Sequence, residues 1–119
     1  MLSSERMKAL CRELPAATEQ VQWGDNVVFK IGGKMFAVTG LAANSRYSFK
    51  VDADRFVELT GVPGIAPAPY LARAKWVQVD PSMCPFPAEH LVVLLRHSYA
   101  LVFAKLTKRV QREISQRTG

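Results

Sequence analysis

The chain has 119 residues and 13.2 kDa, with 49% hydrophobic and 22% charged residues, proportions that fit an ordinary globular domain and exclude a disordered or fibrous chain. Sixteen Lys and Arg against ten Asp and Glu give a net charge of +6 and a pI near 9.7, a surface that attracts nucleic acid, acidic protein or anionic lipid. The longest apolar run, HLVVLLRHSYALVFAKL, is broken by Arg96 and His97, short of the ~20 clean apolar residues of a membrane span, and the charged start MLSSERMKALCREL lacks a signal-peptide core; a soluble, cytoplasmic, single domain over residues 1–119 is expected, with no membrane partner.

Ser3 or Ser4 can cap a first helix, in which Met7, Leu10, Cys11 and Leu14 recur at the spacing of one buried face until Pro15 ends it. ATEQVQW then alternates like a strand, with Val21 and Trp23 opposite Gln20 and Gln22, and Gly24-Asp25-Asn26 forms a turn. VVFKIGGKMFAV follows. A phosphate loop would need G-x-x-x-x-G-K-[ST], but Met35 follows Lys34 and Val28 stands where the first Gly should be. Gly32-Gly33 is instead read as a two-residue hairpin turn, which sets Ile31 opposite Lys34, Phe29 opposite Phe36 and Val27 opposite Val38. Val28, Lys30, Met35, Ala37 and Thr39 fall on the other face.

SRYSFKV predicts a third clean strand with Tyr47, Phe49 and Val51 inward and Arg46, Ser48 and Lys50 outward. Asp52 or Asp54 caps a short helix containing Phe56, Val57 and Leu59 that stops at Gly61. GVPGIAPAPYLARA is dense in Pro and Gly and predicts a long loop, KWVQV another strand ended by Asp80-Pro81. After Pro85 and Pro87 comes a long helix with Leu91, Leu94, Leu95, Ser98, Leu101, Val102 and Lys105 at helical spacing, and Thr107 can cap a final short basic helix. This order predicts an α+β, two-layer domain, an antiparallel sheet with helices packed on one face. The opposite sheet face would display Lys30, Arg46 and Lys50, with Gln20, Gln22 and Gln78.

Catalytic and metal signals are thin. His90 and His97 lie seven apart on one helix face, roughly 10 Å along its axis, too far to share a metal, so a functional His requires a distant residue folded beside it. Asp52 and Asp54 are explained by capping, and Cys11 and Cys84 lack a C-x-x-C spacing. Neither a catalytic set, a metal site nor a cofactor is expected. Basic residues are better organised: Arg96, Lys105, Lys108, Arg109, Arg112 and Arg117 face the single acid Glu113, either a solvated helix end or a phosphate-contacting patch. Arg73, Lys75 and Trp76 form a second group, in which Trp76 is either a stacking face or core.

Trp23-Gly24, VFKIGGKMFA, the strand around Phe49-Lys50, Tyr70 through Trp76 and HSYALVFAKLTKR together resemble the MmcQ/YjbR family of small bacterial proteins, in order and over most of the chain. The resemblance implies a YjbR-like or CyaY-like fold and a "double wing" DNA-binding role, with no catalytic residues or cofactor. It places the family's glycine-lysine hairpin at Gly33 and Lys34, its basic-aromatic segment at Arg73, Lys75 and Trp76, and its late elements at Ser98-Tyr99 and Ala104 to Leu106. The chain departs from the pattern where Ala72 and Ala74 interleave the basic residues, and where Thr107 replaces a common Pro.

The expected function is a non-enzymatic module that binds DNA or another polyanion mainly through phosphates. Lys30, Lys34, Arg46 and Lys50 would act from the sheet, Arg73, Lys75 and Trp76 from the loop, and Lys105, Lys108 and Arg109 from the C-terminal end. The alternative is a module that docks an acidic protein partner, or itself, through the sheet face. A small-molecule enzyme would use a pocket under the loop from Gly61 to Ala74, and would require it to be deep and to hold His90, His97 or Cys84 beside a carboxylate.

Overall fold

The computed structural model describes residues 1–118, with side chains through residue 116. Helix α1 (Ser4–Glu13) starts where the Ser3 hydroxyl accepts the Arg6 N–H at 3.2 Å, and it buries Met7 and Cys11. Strand β1 (Thr18–Gln22) is tied back to α1 by Arg12, which donates to both carboxylate oxygens of Glu19 at 2.7 and 3.1 Å. Strands β2 (Asn26–Ile31) and β3 (Lys34–Gly40) form the hairpin, with Gly32 and Gly33 at φ 57° and 81°, the left-handed conformation that such a tight turn demands.

The hairpin register differs from the expected one. Ile31 pairs with Lys34 and Lys30 with Met35, but a bulge then shifts the ladder so that Phe29 meets Ala37, Val28 meets Val38 and Val27 meets Thr39. The extra residue lets Phe36 and Ala37 both enter the core, where each is fully buried. Thr39 thereby joins the packed face, donating to the Arg46 carbonyl at 2.9 Å, while Val38 moves to the opposite face.

Strand β4 (Tyr47–Lys50) keeps the predicted alternation, and helix α2 (Ala53–Leu59) follows at once. Leu59 and Phe56 pack inward, whereas Val57 is exposed. The Pro-rich stretch is more regular than expected: it holds strand β5 (Ile65–Pro67) and a single 3-10 turn (Ala72–Ala74) before strand β6 (Trp76–Val79). Helix α3 (Ala88–Ala104) starts after Pro87, and α4 (Lys108–Thr118) starts where the Thr107 hydroxyl accepts the Val110 N–H at 3.2 Å.

The six strands form one antiparallel sheet in the order β1-β2-β3-β4-β6-β5. Helices α1 and α3 cross β2, β3 and β4, and α2 packs on β5 and β6. The core between the layers unites Met7 and Cys11 with Phe29, Phe36, Tyr47, Phe49, Val77, Leu91 and Leu95. The α+β two-layer expectation therefore holds. Val21 and Trp23, expected on a packed face, are exposed because β1 is an edge strand and the helix layer does not cover them.

The α3–α4 corner closes the hairpin end of the sheet. Leu106 and Val110 lie against the turn so closely that a Cβ on Gly32 would meet Leu106 Cδ1 at 2.7 Å. Gln111 Nε2 caps the end of α3, donating toward the carbonyls of Phe103, Ala104 and Leu106, groups that a helix C-terminus otherwise leaves unpaired.

Candidate functional site

Alternation along β4 places Ser48 and Lys50 on the sheet face away from the helices, and the ladder sets Trp76 beside Lys50 and Gln78 beside Ser48. Two hollows follow from this. At the hairpin end, a cleft of about 450 Å³ is lined by Lys34, Met35, Lys50, Trp76, Val102 and Lys105. Three lysines thus line one hollow from the hairpin turn, the end of β4 and the end of α3. None of the three lysines forms an ion pair among the described residues.

Lys50 is the most constrained of them. Its Nζ donates to the Ala74 carbonyl at 2.6 Å, and its backbone N–H donates to Ser98 Oγ at 2.9 Å. Burial first, and the nearby Lys105 charge second, pull its pKa below the ordinary lysine value, because both penalise the charged form. The floor of the cleft is Trp76, only 4% exposed. Its ring is packed, which corrects the reading of Trp76 as an open stacking face.

The other predicted residues divide among separate surfaces. Lys30 flanks Met35 across the hairpin on the open face. Lys75, in the left-handed conformation at φ 66°, sets its Nζ 5.2 Å from the Phe56 ring centroid, a cation–π contact. Arg73 is exposed on the 3-10 turn. Arg46 lies at the far end of β4, 3.6 Å from Asp80, so its charge is already met. Arg109 pairs with Glu113 at 3.3 Å. Lys108 lines a separate groove with Phe103, Gln111 and Arg112. The side chain of Arg117 lies outside the described residues. The ten predicted residues therefore do not share one surface; Lys34, Lys50, Trp76 and Lys105 do.

The second hollow lies farther along the sheet, against Pro69, Tyr70 and Leu71 of the loop from Gly61 to Ala74 under which the enzyme reading places a pocket, though none of His90, His97 and Cys84 lines it. It encloses about 460 Å³, with Val38, Ser48, Gln78 and Asn26 as floor and Trp23 and Tyr70 as walls. Both aromatics have positive φ, 51° and 65°, a region that bulky residues seldom occupy. Both are exposed, Trp23 to 66% and Tyr70 fully. Composition points to basic residues, and the alternation of ATEQVQW points Trp23 inward; the signal in the sequence is Trp23 immediately before Gly24, a turn position that strand periodicity overlooks.

One distant carboxylate does fold beside a histidine. His97 Nε2 lies 2.7 Å from Asp52 Oδ2. Asp52 is the N-cap residue of α2, as expected, but its side chain makes no cap bond and is turned to His97 instead. The pair sits at the surface with both side chains substantially exposed, unlike the deep pocket an enzyme reading requires. His90 stacks on Phe86 with centroids 4.1 Å apart. Cys11 and Cys84 are free and buried, and burial, ahead of the Glu19 charge, raises the Cys11 thiol to about 12. Among the described residues, no cluster of His, Cys, Asp and Glu could hold a metal ion, and no helix is long and apolar enough to cross a membrane.

The YjbR family model matches residues 12–101. The crystal structure of Deinococcus radiodurans protein DR2400, which has a DUF419 domain, superposes with a TM-score of 0.84 at 35% identity, covering 97% of this chain and 89% of that one. A crystal structure of a protein from Pseudomonas syringae shares the fold at a TM-score of 0.70 and 19% identity, covering 83% of this chain and 97% of that one. No curated protein matches the sequence. The match over most of the chain, together with the shared six-stranded architecture, establishes that this chain belongs to the YjbR family.

Proposed function

We propose that the chain is a cytoplasmic, non-enzymatic binding protein that takes DNA through its phosphates at the cleft of Lys34, Lys50 and Lys105. The observation that carries this reading is the convergence of three lysines from three chain segments on one hollow without carboxylate partners among the described residues. Burial first, and the nearby Lys105 charge second, disfavour the charged form of Lys50, and a phosphate anion at the cleft offsets that cost. Lys30 and the exposed Arg73 extend the positive field beyond the cleft. The lining offers anion contacts and an apolar floor.

Binding of a fluorescent random-sequence DNA duplex across a salt series tests this. Affinity should fall steeply as salt rises, and Lys34→Gln, Lys50→Gln and Lys105→Gln should each lower the log–log slope by about 0.9 for every phosphate no longer neutralised. Arg46→Gln should change the slope less, since Asp80 already meets that charge. Unchanged affinity and slope in the triple lysine variant would reject the cleft as the phosphate site.

A further inference from the structure

The groove between Trp23 and Tyr70 has a chemistry different from the lysine cleft. Its floor is uncharged and hydrogen-bonding, from Asn26, Ser48 and Gln78, with Val38 as an apolar patch. Its walls are two aromatic side chains left in solvent from left-handed backbone positions. Large exposed aromatics flanking a concave surface mark binding sites, because their apolar faces gain by being covered.

The groove and the cleft are neighbours along β4 and β6. Ser48 of the groove and Lys50 of the cleft are alternate residues of β4, and Gln78 of the groove and Trp76 of the cleft are alternate residues of the neighbouring β6. Two residues of strand separate the hollows, about 7 Å. A ligand lying along this face meets aromatic walls and neutral hydrogen-bonding groups at one end, and uncompensated lysines at the other. That pairing complements a flat heteroaromatic ring joined to a phosphate chain.

We propose that this face takes single-stranded nucleic acid, with one unstacked base held between Trp23 and Tyr70 and the adjoining phosphates at Lys50, Lys34 and Lys105. The inference rests on the phosphate-binding reading above and narrows it. A duplex keeps its bases stacked inside, so it can use the lysines but not the groove; a single strand can use both. Asn26, Ser48 and Gln78 would meet the base edge. An acidic peptide would satisfy the lysines and leave the two aromatic walls unused.

Four probes are compared on the full chain: a mixed-sequence single-stranded oligonucleotide, the same sequence as a duplex, an abasic oligonucleotide of equal length, and polyglutamate. Trp23→Asn and Tyr70→Asn remove the rings while keeping a residue that tolerates left-handed backbone, and circular dichroism confirms folding. The single strand should bind more tightly than the abasic strand. The double aromatic variant should lose about 5- to 150-fold in single-strand affinity, the range of one base stacked on aromatic side chains, with duplex binding and salt slope unchanged. Equal affinity for the single and abasic strands, or no loss in the aromatic variant, overturns the base site while leaving the phosphate cleft intact. Loss of single-strand binding in the aromatic variant but not in the triple lysine variant supports the groove and rejects the cleft. Preference for polyglutamate over every nucleic acid overturns both in favour of an acidic protein partner.

Discussion

Ser98 interrupts the buried stripe that Leu91, Leu94, Leu95 and Val102 make on α3, and it is fully buried. Its Oγ donates to the Phe36 carbonyl at 2.7 Å and accepts the Lys50 N–H at 2.9 Å. One hydroxyl thus joins the bulged region of β3 to the last residue of β4, and with it the backbone that carries a cleft lysine. Ser98→Ala leaves an acceptor and a donor buried without that partner, each costing about 1–3 kcal/mol. Urea denaturation should show a loss of about 2–6 kcal/mol on that basis, and a loss below about 0.5 kcal/mol, the size of an ordinary surface substitution, would mean that other groups take over both bonds. Helical spacing in the sequence places Ser98 on the inner stripe, but its role is illegible there. Its partners lie 62 and 48 residues away, and one of them depends on a bulge.

At the scale of elements, the β2–β3 hairpin separates what periodicity encodes from what it does not. Gly32-Gly33 between apolar runs specifies the turn, and the structure has it there with both glycines at positive φ. A strict two-residue alternation cannot express one extra residue, so it displaces the register beyond Met35 and puts Ala37, Val38 and Thr39 on the wrong faces. The two glycines also differ in surroundings. A Cβ at Gly33 would meet nothing within 4 Å, whereas one at Gly32 would press on Leu106 and Val110 at the α3–α4 corner. Gly33→Ala should therefore cost only the left-handed penalty, about 1–2 kcal/mol. Gly32→Ala carries the same penalty and must also displace Leu106, so its denaturation midpoint should fall further. Equal midpoints would show that the corner yields freely. The loss at Gly32 would extend to the cleft, since the corner also fixes Lys105, the C-cap residue of α3.

Across the whole molecule, the two-layer fold is legible because strand and helix periods are clean from Val27 to Val51 and from Leu91 to Val102. The site is legible only as charge. Nothing in the spacing of Lys34, Lys50 and Lys105 shows that they meet; that follows from β4 lying between β3 and β6 and from α3 ending over the hairpin. Arg46 shows the converse, a residue on the predicted face whose charge Asp80 takes up. Convergence also creates a pH signature. Burial, and then Lys105, lowers the Lys50 pKa, so Lys50 loses its proton at a lower pH than an ordinary lysine near 10.4. A bound polyanion favours the protonated form, so affinity is greatest where Lys50 is charged and falls as pH rises through that lowered value. With inorganic polyphosphate as the probe, affinity should begin to decline before the ordinary lysine range is reached. Lys50→Arg, whose guanidinium stays charged throughout, should remove that early decline while binding at neutral pH persists. If the arginine variant declines over the same interval as the parent, Lys50 is not the group that meets the anion.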